Sequence, residues 1–271
     1  MDISLSYGKT SLRVSLDKDW DATIIEKQNM PVIDDPLTAI STAFSEGDGS
    51  GSLEDVAKGK SSACILICDI TRPVPNGLIL PQLIERLIKA GIKKECITIL
   101  VATGLHRPNK GDELLEIVGS QKVLETVRVE NHYARNDDDH IFLCRSTSGL
   151  DIKIDKRFAM ADLKIVIGLV EPHFMAGYSG GRKLVIPGVA HHQTITGFHT
   201  AKFLEHPCSR TCNLKGNIFH EFQLEGIRKL SNLFAVNVVI DEKRNLSFVN
   251  FGDIEKSHAM AIQYLKQYAE I

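Results

Sequence analysis

Short apolar runs that alternate with amphipathic stretches from residue 63 onward most constrain what this chain can fold into. The run Ala63-Cys64-Ile65-Leu66-Ile67-Cys68 is apolar throughout, which is typical of a strand buried on both faces. Helical spacing of apolar residues follows at 76–90, then a second apolar run at 96–101 and a further helix at 111–119. Strands that alternate with helices in this way predict a parallel sheet covered by helices.

The alternation continues along the rest of the chain, so the expected fold is α/β, with a Rossmann-like, mainly parallel sheet flanked by helices. The remaining predicted elements are strands at 164–170 and 235–240, helices at 221–231 and from Ile254, and antiparallel strands at 127–129 and 246–251. With 271 residues and 43% hydrophobic content, the chain can bury a sizeable core in one large or two modest domains.

The segment before residue 63 has a different hydrophobic pattern. Apolar and polar residues alternate over 3–16 on both sides of Tyr7-Gly8-Lys9-Thr10, which predicts an N-terminal β-hairpin. The stretch 45–52 is polar and rich in glycine, and it lacks the apolar spacing needed to pack, so we expect a surface loop there.

Charge and hydropathy narrow the possible partners. Thirty-two basic and 34 acidic residues give a net charge of −2 without a basic stripe, which disfavours nucleic-acid binding. No apolar run approaches the roughly 20 residues of a membrane-spanning helix, and the first residues lack a secretory signal. We therefore expect a cytoplasmic protein with no membrane partner, whose six cysteines are reduced thiols.

Polar motifs follow three of the predicted strands. These motifs are Asp69-Ile70-Thr71-Arg72-Pro73, Thr103-Gly104-Leu105-His106-Arg107-Pro108 and Glu171-Pro172-His173. Ligands of open α/β sheets bind where the carboxyl ends of the strands converge, so the three motifs predict a shared site. Arg72 can hold an anion and His106 can move a proton, although the same residues also suit a rigid turn and a structural histidine.

The segment from Ala176 to Lys183, Ala-Gly-Tyr-Ser-Gly-Gly-Arg-Lys, can expose backbone N–H groups to a phosphate. It is not a Walker loop, because Arg182 separates Gly181 from Lys183 and Leu184 follows the lysine. His206, Cys208 and Cys212 are a candidate zinc site, but their spacing is a weak zinc signature.

Together, the strand-end motifs and the segment Glu171–Lys183 resemble the lactate racemase family, the nickel-pincer-nucleotide-dependent 2-hydroxyacid racemases and epimerases. The resemblance continues through Pro187-Gly188, His199, Gly216-Asn217 and Phe251-Gly252-Asp253. It implies an enzyme of the isomerase class that acts on a small, lactate-like 2-hydroxyacid and depends on cofactor-synthesis and nickel-insertion enzymes.

The same resemblance implies roles for individual residues. Lys183 would be the covalent anchor of a Ni(II) pyridinium-3,5-bisthiocarboxylate mononucleotide, and His199 would be a nickel ligand, which suits square-planar Ni(II). The other residues implied to contact the cofactor are Asp69, Ile70, Thr71, Arg72, Ser179, Gly180 and Gly181. His106 and His173 would be the two acid–base groups, one for each enantiomer, and Arg72 would hold the substrate carboxylate.

The resemblance further implies that residues 1–271 form a cofactor-binding amino-terminal domain and that the smaller carboxyl-terminal domain of the family is absent. Two other functions therefore stay open on the sequence alone. One is a non-catalytic module that binds the cofactor, and the other is a nickel-free Rossmann-like protein that binds a phosphate or sugar acid. The identity of the 2-hydroxyacid is not readable from these residues.

Overall fold

The computed structural model describes residues 1–7, 10–24 and 28–269. Its strands are β1 (Asp2–Tyr7), β2 (Thr10–Ser15), β3 (Ala63–Cys68), β4 (Ile97–Ala102), β5 (Arg128–Asn131), β6 (His140–Arg145), β7 (Asp151–Asp155), β8 (Leu163–Leu169), β9 (Pro172–His173), β10 (Gly177–Tyr178), β11 (Leu233–Ile240) and β12 (Leu246–Asp253). Its α-helices are α1 (Pro36–Glu46), α2 (Leu53–Ala57), α3 (Asn76–Lys89), α4 (Asp112–Val118), α5 (Gln121–Thr126), α6 (Lys156–Ala159), α7 (His192–Phe198), α8 (Ala201–Leu204), α9 (Ile218–Ile227) and α10 (Ile254–Ala269).

A six-stranded sheet in the order β12-β11-β8-β3-β4-β5 forms the centre of the fold. All neighbouring strands run parallel except β12, which is antiparallel to β11, so the α/β prediction and the antiparallel strand near 246–251 are confirmed. The prediction of an antiparallel strand at 127–129 is wrong, because β5 pairs in parallel with β4. The intervening α4 and α5 form a crossover long enough to return the chain in the same direction.

Both faces of the sheet are buried, which explains the continuous apolar runs. In β3, Ile65 and Ile67 pack into the core on the side of α1–α5, whereas Cys64 and Leu66 pack on the side of α6, α7 and α9. The alternation of neighbouring side chains between faces is the ordinary geometry of a strand. α10 covers β11 and β12 at one end of the sheet.

The predicted hairpin is present as β1 and β2, paired antiparallel, while its turn at Gly8 and Lys9 lies outside the described residues. The predicted helix at 111–119 ends at Val118, and Ser120 caps a separate helix, α5. Within the described residues, no helix is both long and apolar enough to cross a membrane.

The glycine-rich stretch 45–52 differs from the expected surface loop. Its first two residues belong to α1, and Gly47 ends that helix in a left-handed conformation with φ +64° while being buried. The hydroxyl of Ser50 accepts a hydrogen bond from the backbone N–H of Asp253, which ties the segment to the end of β12. Turn geometry and a hydrogen bond from the β12 backbone to the Ser50 side chain therefore dock a segment that has no apolar spacing.

Gly77 of α3 packs closely against Gly119, the C-terminal cap of α4. A Cβ at this position would lie 2.7 Å from the carbonyl oxygen of Gly119, a backbone atom that cannot rotate away. We expect Gly77→Ala to destabilise the fold by about 1–3 kcal/mol, although alanine alone favours helices over glycine. Urea unfolding measures the effect, with the exposed Glu85→Ala on the same helix as control. Equal stability of Gly77→Ala and the parent would contradict the contact.

Candidate active site

A cavity of about 460 Å³ opens at the sheet edge where β3, β4 and β8 end. Its size lies in the usual range for small-molecule sites. Of the nominated residues, those that line the cavity are Asp69, Thr71, Arg72, His106, Ser179, Gly180, Lys183 and His199. The convergence of Asp69, Arg72 and His106 follows from the parallel strands, because their motifs come directly after the carboxyl ends of β3 and β4. Residues 179–183 follow β10, and His199 follows α7.

His106 is held by the carboxylate of Asp69. The two side chains meet at 2.6 Å, between Nδ1 of His106 and Oδ2 of Asp69. The other carboxylate oxygen accepts hydrogen bonds from the backbone N–H and the hydroxyl of Thr71, at 3.1 Å and 2.6 Å. Asp69 is almost fully buried while the His106 side chain is 64% exposed, so a fixed carboxylate orients an accessible imidazole.

Arg72 lies at the mouth of the cavity and forms an ion pair with Glu171. Both side chains are partly exposed, which makes this pair weak and exchangeable. A planar guanidinium binds a carboxylate through two parallel hydrogen bonds. Arg72 can therefore hold a ligand carboxylate once Glu171 is displaced.

The segment 176–181, here called the anchor loop, lies directly on β8. The Ser179 hydroxyl donates to the Leu169 carbonyl at 2.7 Å and accepts from the backbone N–H of Glu171 at 3.0 Å. Gly180 has φ +78°, and a Cβ there would lie 2.7 Å from the Val170 side chain. Only glycine allows the loop to approach the strand so closely at this conformation.

Lys183 follows the loop and projects into the cavity. Burial, together with the nearby Arg182 and Arg72 guanidinium groups, lowers the pKa of its amine to about 7. A substantial fraction of the amine is therefore uncharged near neutral pH. An uncharged lysine amine is a nucleophile, which fits a residue that forms a covalent bond.

His199 is the C-terminal cap of α7 and lines the cavity. Its Nδ1 lies 2.8 Å from the carbonyl oxygen of Ile195. A carbonyl can only accept, so Nδ1 carries the hydrogen and Nε2 carries the lone pair. Burial lowers the pKa of His199, which keeps this lone pair free of a proton.

His173 lies beside the cavity and not among its lining residues. It is 8% exposed, and its Nδ1 accepts hydrogen bonds from the backbone N–H groups of Met175 and Ala176, at 3.4 Å and 3.2 Å. Burial, with Lys183 and Arg72 nearby, lowers its pKa to about 3. His173 is therefore a neutral imidazole over the physiological pH range.

Two other nominated residues do not line the cavity. Ile70 packs against the core beneath α3, and its backbone N–H donates to Asn109. Gly181 faces α10, since a Cβ there would lie 3.1 Å from the His258 ring. Both are adjacent to lining residues, but their side-chain positions point into the protein.

Sequence reasoning missed several residues of the site. Cys68 and Thr196 line the cavity, and Arg182 is buried beneath the anchor loop. Thr196 precedes His199 by three residues, so helical spacing was a usable signal. Nothing in the sequence marked Arg182 as buried, because arginine is almost never fully buried.

Two other groups of metal-ligating residues do not form metal sites within the described residues. His206, Cys208 and Cys212 form no ligand cluster within the described residues. Asp137, His191 and His192 do come within 4.8 Å of one another. His191 is already engaged at both ring nitrogens, however, with Asp137 at 2.7 Å and with the backbone N–H of Gln193 at 3.3 Å.

Comparison with known proteins identifies the family of the chain. The lactate racemase N-terminal domain family matches residues 7–212. The chain is 37% identical over 223 residues to the lactate racemase of Lactiplantibacillus plantarum, covering 82% of this chain and 52% of that protein. It is 32% identical over 276 residues to the lactate racemase of Thermoanaerobacterium thermosaccharolyticum, covering 100% of this chain and 63% of that protein.

Solved structures give the same result for the fold. The lactate racemase apoprotein from T. thermosaccharolyticum superposes with a TM-score of 0.86 at 31% identity, covering 99% of this chain and 63% of that chain. A Thermotoga maritima protein shares the fold alone, with a TM-score of 0.67 at 23% identity over 80% of this chain and 58% of that one. The chain thus spans between about half and two thirds of its relatives' length, and it belongs to the lactate racemase family.

Proposed function

We propose that this chain carries the cofactor site of a racemase or epimerase that acts on a lactate-like 2-hydroxyacid. The observation that carries the proposal is the convergence of Lys183, His199, His106 and Arg72 on one cavity. These four side chains supply an anchor, a metal ligand, a base and a carboxylate-binding group. The names of the relatives support the substrate class.

The residues present fit a nickel-pincer nucleotide. Lys183 offers a largely uncharged amine for attachment, and His199 offers its Nε2 lone pair from a ring that is oriented by Ile195. The anchor loop brings backbone close to the cavity at Gly180 and provides a place for a phosphate. The chemistry that the bound group would supply is reversible acceptance of hydride from the substrate's α-carbon.

The chain's own residues would bind and deprotonate the substrate. Arg72 exchanges its ion pair with Glu171 for the substrate carboxylate and so fixes the α-carbon in the cavity. His106 takes the hydroxyl proton at Nε2, and the Asp69 carboxylate stabilises the imidazolium that results. His173 is proposed as the second acid–base group on the strength of the family resemblance.

The depressed pKa of Lys183 predicts selective chemistry. Because its amine is uncharged above about pH 7, Lys183 should react with a small acylating reagent at about pH 7.5 before the exposed lysines, which are protonated there. Peptide mass spectrometry measures the modified fraction at each lysine, with exposed Lys215 as internal control. Lowering the pH to about 6 should slow the reaction of Lys183, whereas raising the pH toward about 10.5 should narrow the preference, because ordinary lysine amines are then also uncharged. Reaction of Lys183 no faster than Lys215 would contradict the lowered pKa.

Cofactor loading is the direct test of the function. Chain produced together with the cofactor-synthesis enzymes should carry a mass increase confined to Lys183, contain nickel, and interconvert 2-hydroxyacid enantiomers. His199→Ala should keep the mass increase and lose most of the nickel, because it removes only the metal ligand. His191→Ala, at a histidine outside the cavity, is the matched control and should retain both.

The outcomes separate the alternatives. A chain that contains no nickel and whose Lys183 is unmodified would overturn the cofactor assignment. Tight loading without interconversion of lactate or larger 2-hydroxyacids would instead identify a non-catalytic cofactor-binding module.

A further inference from the structure

A second cavity, of about 300 Å³, lies between α9 and α10. Among the described residues, it shares no lining residue with the active-site cavity. Ser179, Gly180 and Lys183 line the active-site cavity, whereas Arg182 lines the second one. The chain at 179–183 therefore lies between the two cavities, and the second cavity is outside the proposed site.

Arg182 brings a positive charge to this cavity without a negative partner. The side chain is 2% exposed, and burial lowers its pKa to about 9, so the guanidinium is still charged at neutral pH. Its Nη2 donates to the carbonyls of Ala176 and Tyr178, at 2.9 Å and 3.3 Å. Its Nη1 lies 3.4 Å from each ring nitrogen of His258, whose pKa burial lowers to about 3. In the part of the chain that the structure describes, no carboxylate pairs with this guanidinium.

Two buried nitrogen atoms of the lining have no hydrogen-bond partner. One is Nε of Arg182, and the other is Nδ1 of His220 on α9. The guanidinium Nε always carries a hydrogen, and a neutral imidazole can carry its hydrogen on Nδ1. Buried donors are nearly always paired, and an unpaired donor on a charged group is especially unfavourable. Both atoms therefore mark the place of an acceptor that is not part of the chain.

The other charged groups of the lining do not compensate Arg182. Arg228 donates to both carboxylate oxygens of Glu255, at 2.8 Å and 2.7 Å, so these two charges balance each other. Burial, with Arg182 and Arg228 nearby, lowers the pKa of His220 to about 3, which leaves this ring neutral. The lining thus keeps one net positive charge, that of Arg182.

We propose that this cavity binds one small monovalent inorganic anion of the chloride class, held between Nε of Arg182 and Nδ1 of His220. A single negative charge balances the single uncompensated positive charge and satisfies both orphan donors. The anion also neutralises a charge that is otherwise buried beneath the anchor loop at a cost in stability. The site thereby completes the support of the loop that precedes Lys183.

Charge and geometry exclude larger anions. A phosphate dianion would leave an excess negative charge, and its oxygens would face the apolar side chains of Leu224, Ile227 and Ile254 without donors. A carboxylate binds arginine through two parallel N–H groups, but both Nη atoms of Arg182 are already engaged. A spherical anion needs only the one direction that Nε offers.

Crystals of the chain grown in sodium bromide test the site directly, because bromide can replace chloride and is located by its anomalous scattering. We expect an anomalous peak within hydrogen-bonding distance of Nε of Arg182 and Nδ1 of His220. His220→Phe, which removes one donor and leaves the loop hydrogen bonds of Arg182 intact, should lose most of the peak. Bromide found only elsewhere on the protein, or retained at full height in His220→Phe, would overturn the proposal.

Thermal unfolding tests the site in solution, since an anion that binds only the folded chain raises its unfolding temperature. At constant ionic strength, replacing a bulky sulfonate by about 100 mM chloride should raise the midpoint by about 2–4 °C. His220→Phe should lose this shift. His192→Phe, at a partly exposed histidine outside both cavities, is the matched control and should retain it. A parent chain that ignores chloride, or that acetate stabilises as much as chloride does, would contradict the proposed anion.

Discussion

The parallel register of β3 with its two neighbours determines where chemistry can occur in this protein. Ile65 of β3 lies opposite Ile99 of β4 and Ile165 of β8, so all three strands end at one edge of the sheet. That alignment brings the 69–72 turn within hydrogen-bonding distance of His106, which lies 37 residues away from Asp69. An antiparallel neighbour would place the following polar motif at the opposite edge. The cavity is therefore a consequence of strand direction.

The second constraint is the close packing of the anchor loop on β8. A Cβ at Gly168 would lie 2.9 Å from the backbone nitrogen of Gly181, so strand and loop meet backbone to backbone. Arg182 holds the loop from below through the carbonyls of Ala176 and Tyr178, and burial lowers its pKa to about 9. A charged side chain buried against neutral partners is costly. Because burying Arg182 costs stability, we infer that the conformation of this loop benefits the site and not the stability of the fold.

Periodicity predicted most elements of the sheet, and strand-end position predicted that Arg72 and His106 share a site, whereas Lys183 and His199 were indicated only by the family resemblance. Sequence patterns failed where geometry depends on long-range packing. The direction of β5 depends on the crossover through two short helices, and the docking of Gly47 depends on a turn with positive φ. The position of His173 could not be inferred either, because its orientation depends on backbone amides two and three residues later. Sequence patterns identify residue types at a site but not the nitrogen that each imidazole presents.

Charge connects Lys183 to the stability of the whole chain. Lys183 has a folded pKa of about 7 against 10.5 for an ordinary lysine, so the folded state releases its proton more readily than the unfolded state. Folding therefore carries an electrostatic penalty below about pH 7, and this penalty disappears as the pH rises toward 10.5. Covalent attachment that removes the charge of the amine would abolish the same penalty at neutral pH. It would also remove a positive charge that acts on His173, although Arg72 and Arg182 would still disfavour the protonated ring. Lys183 is thus least compatible with the fold in its charged form.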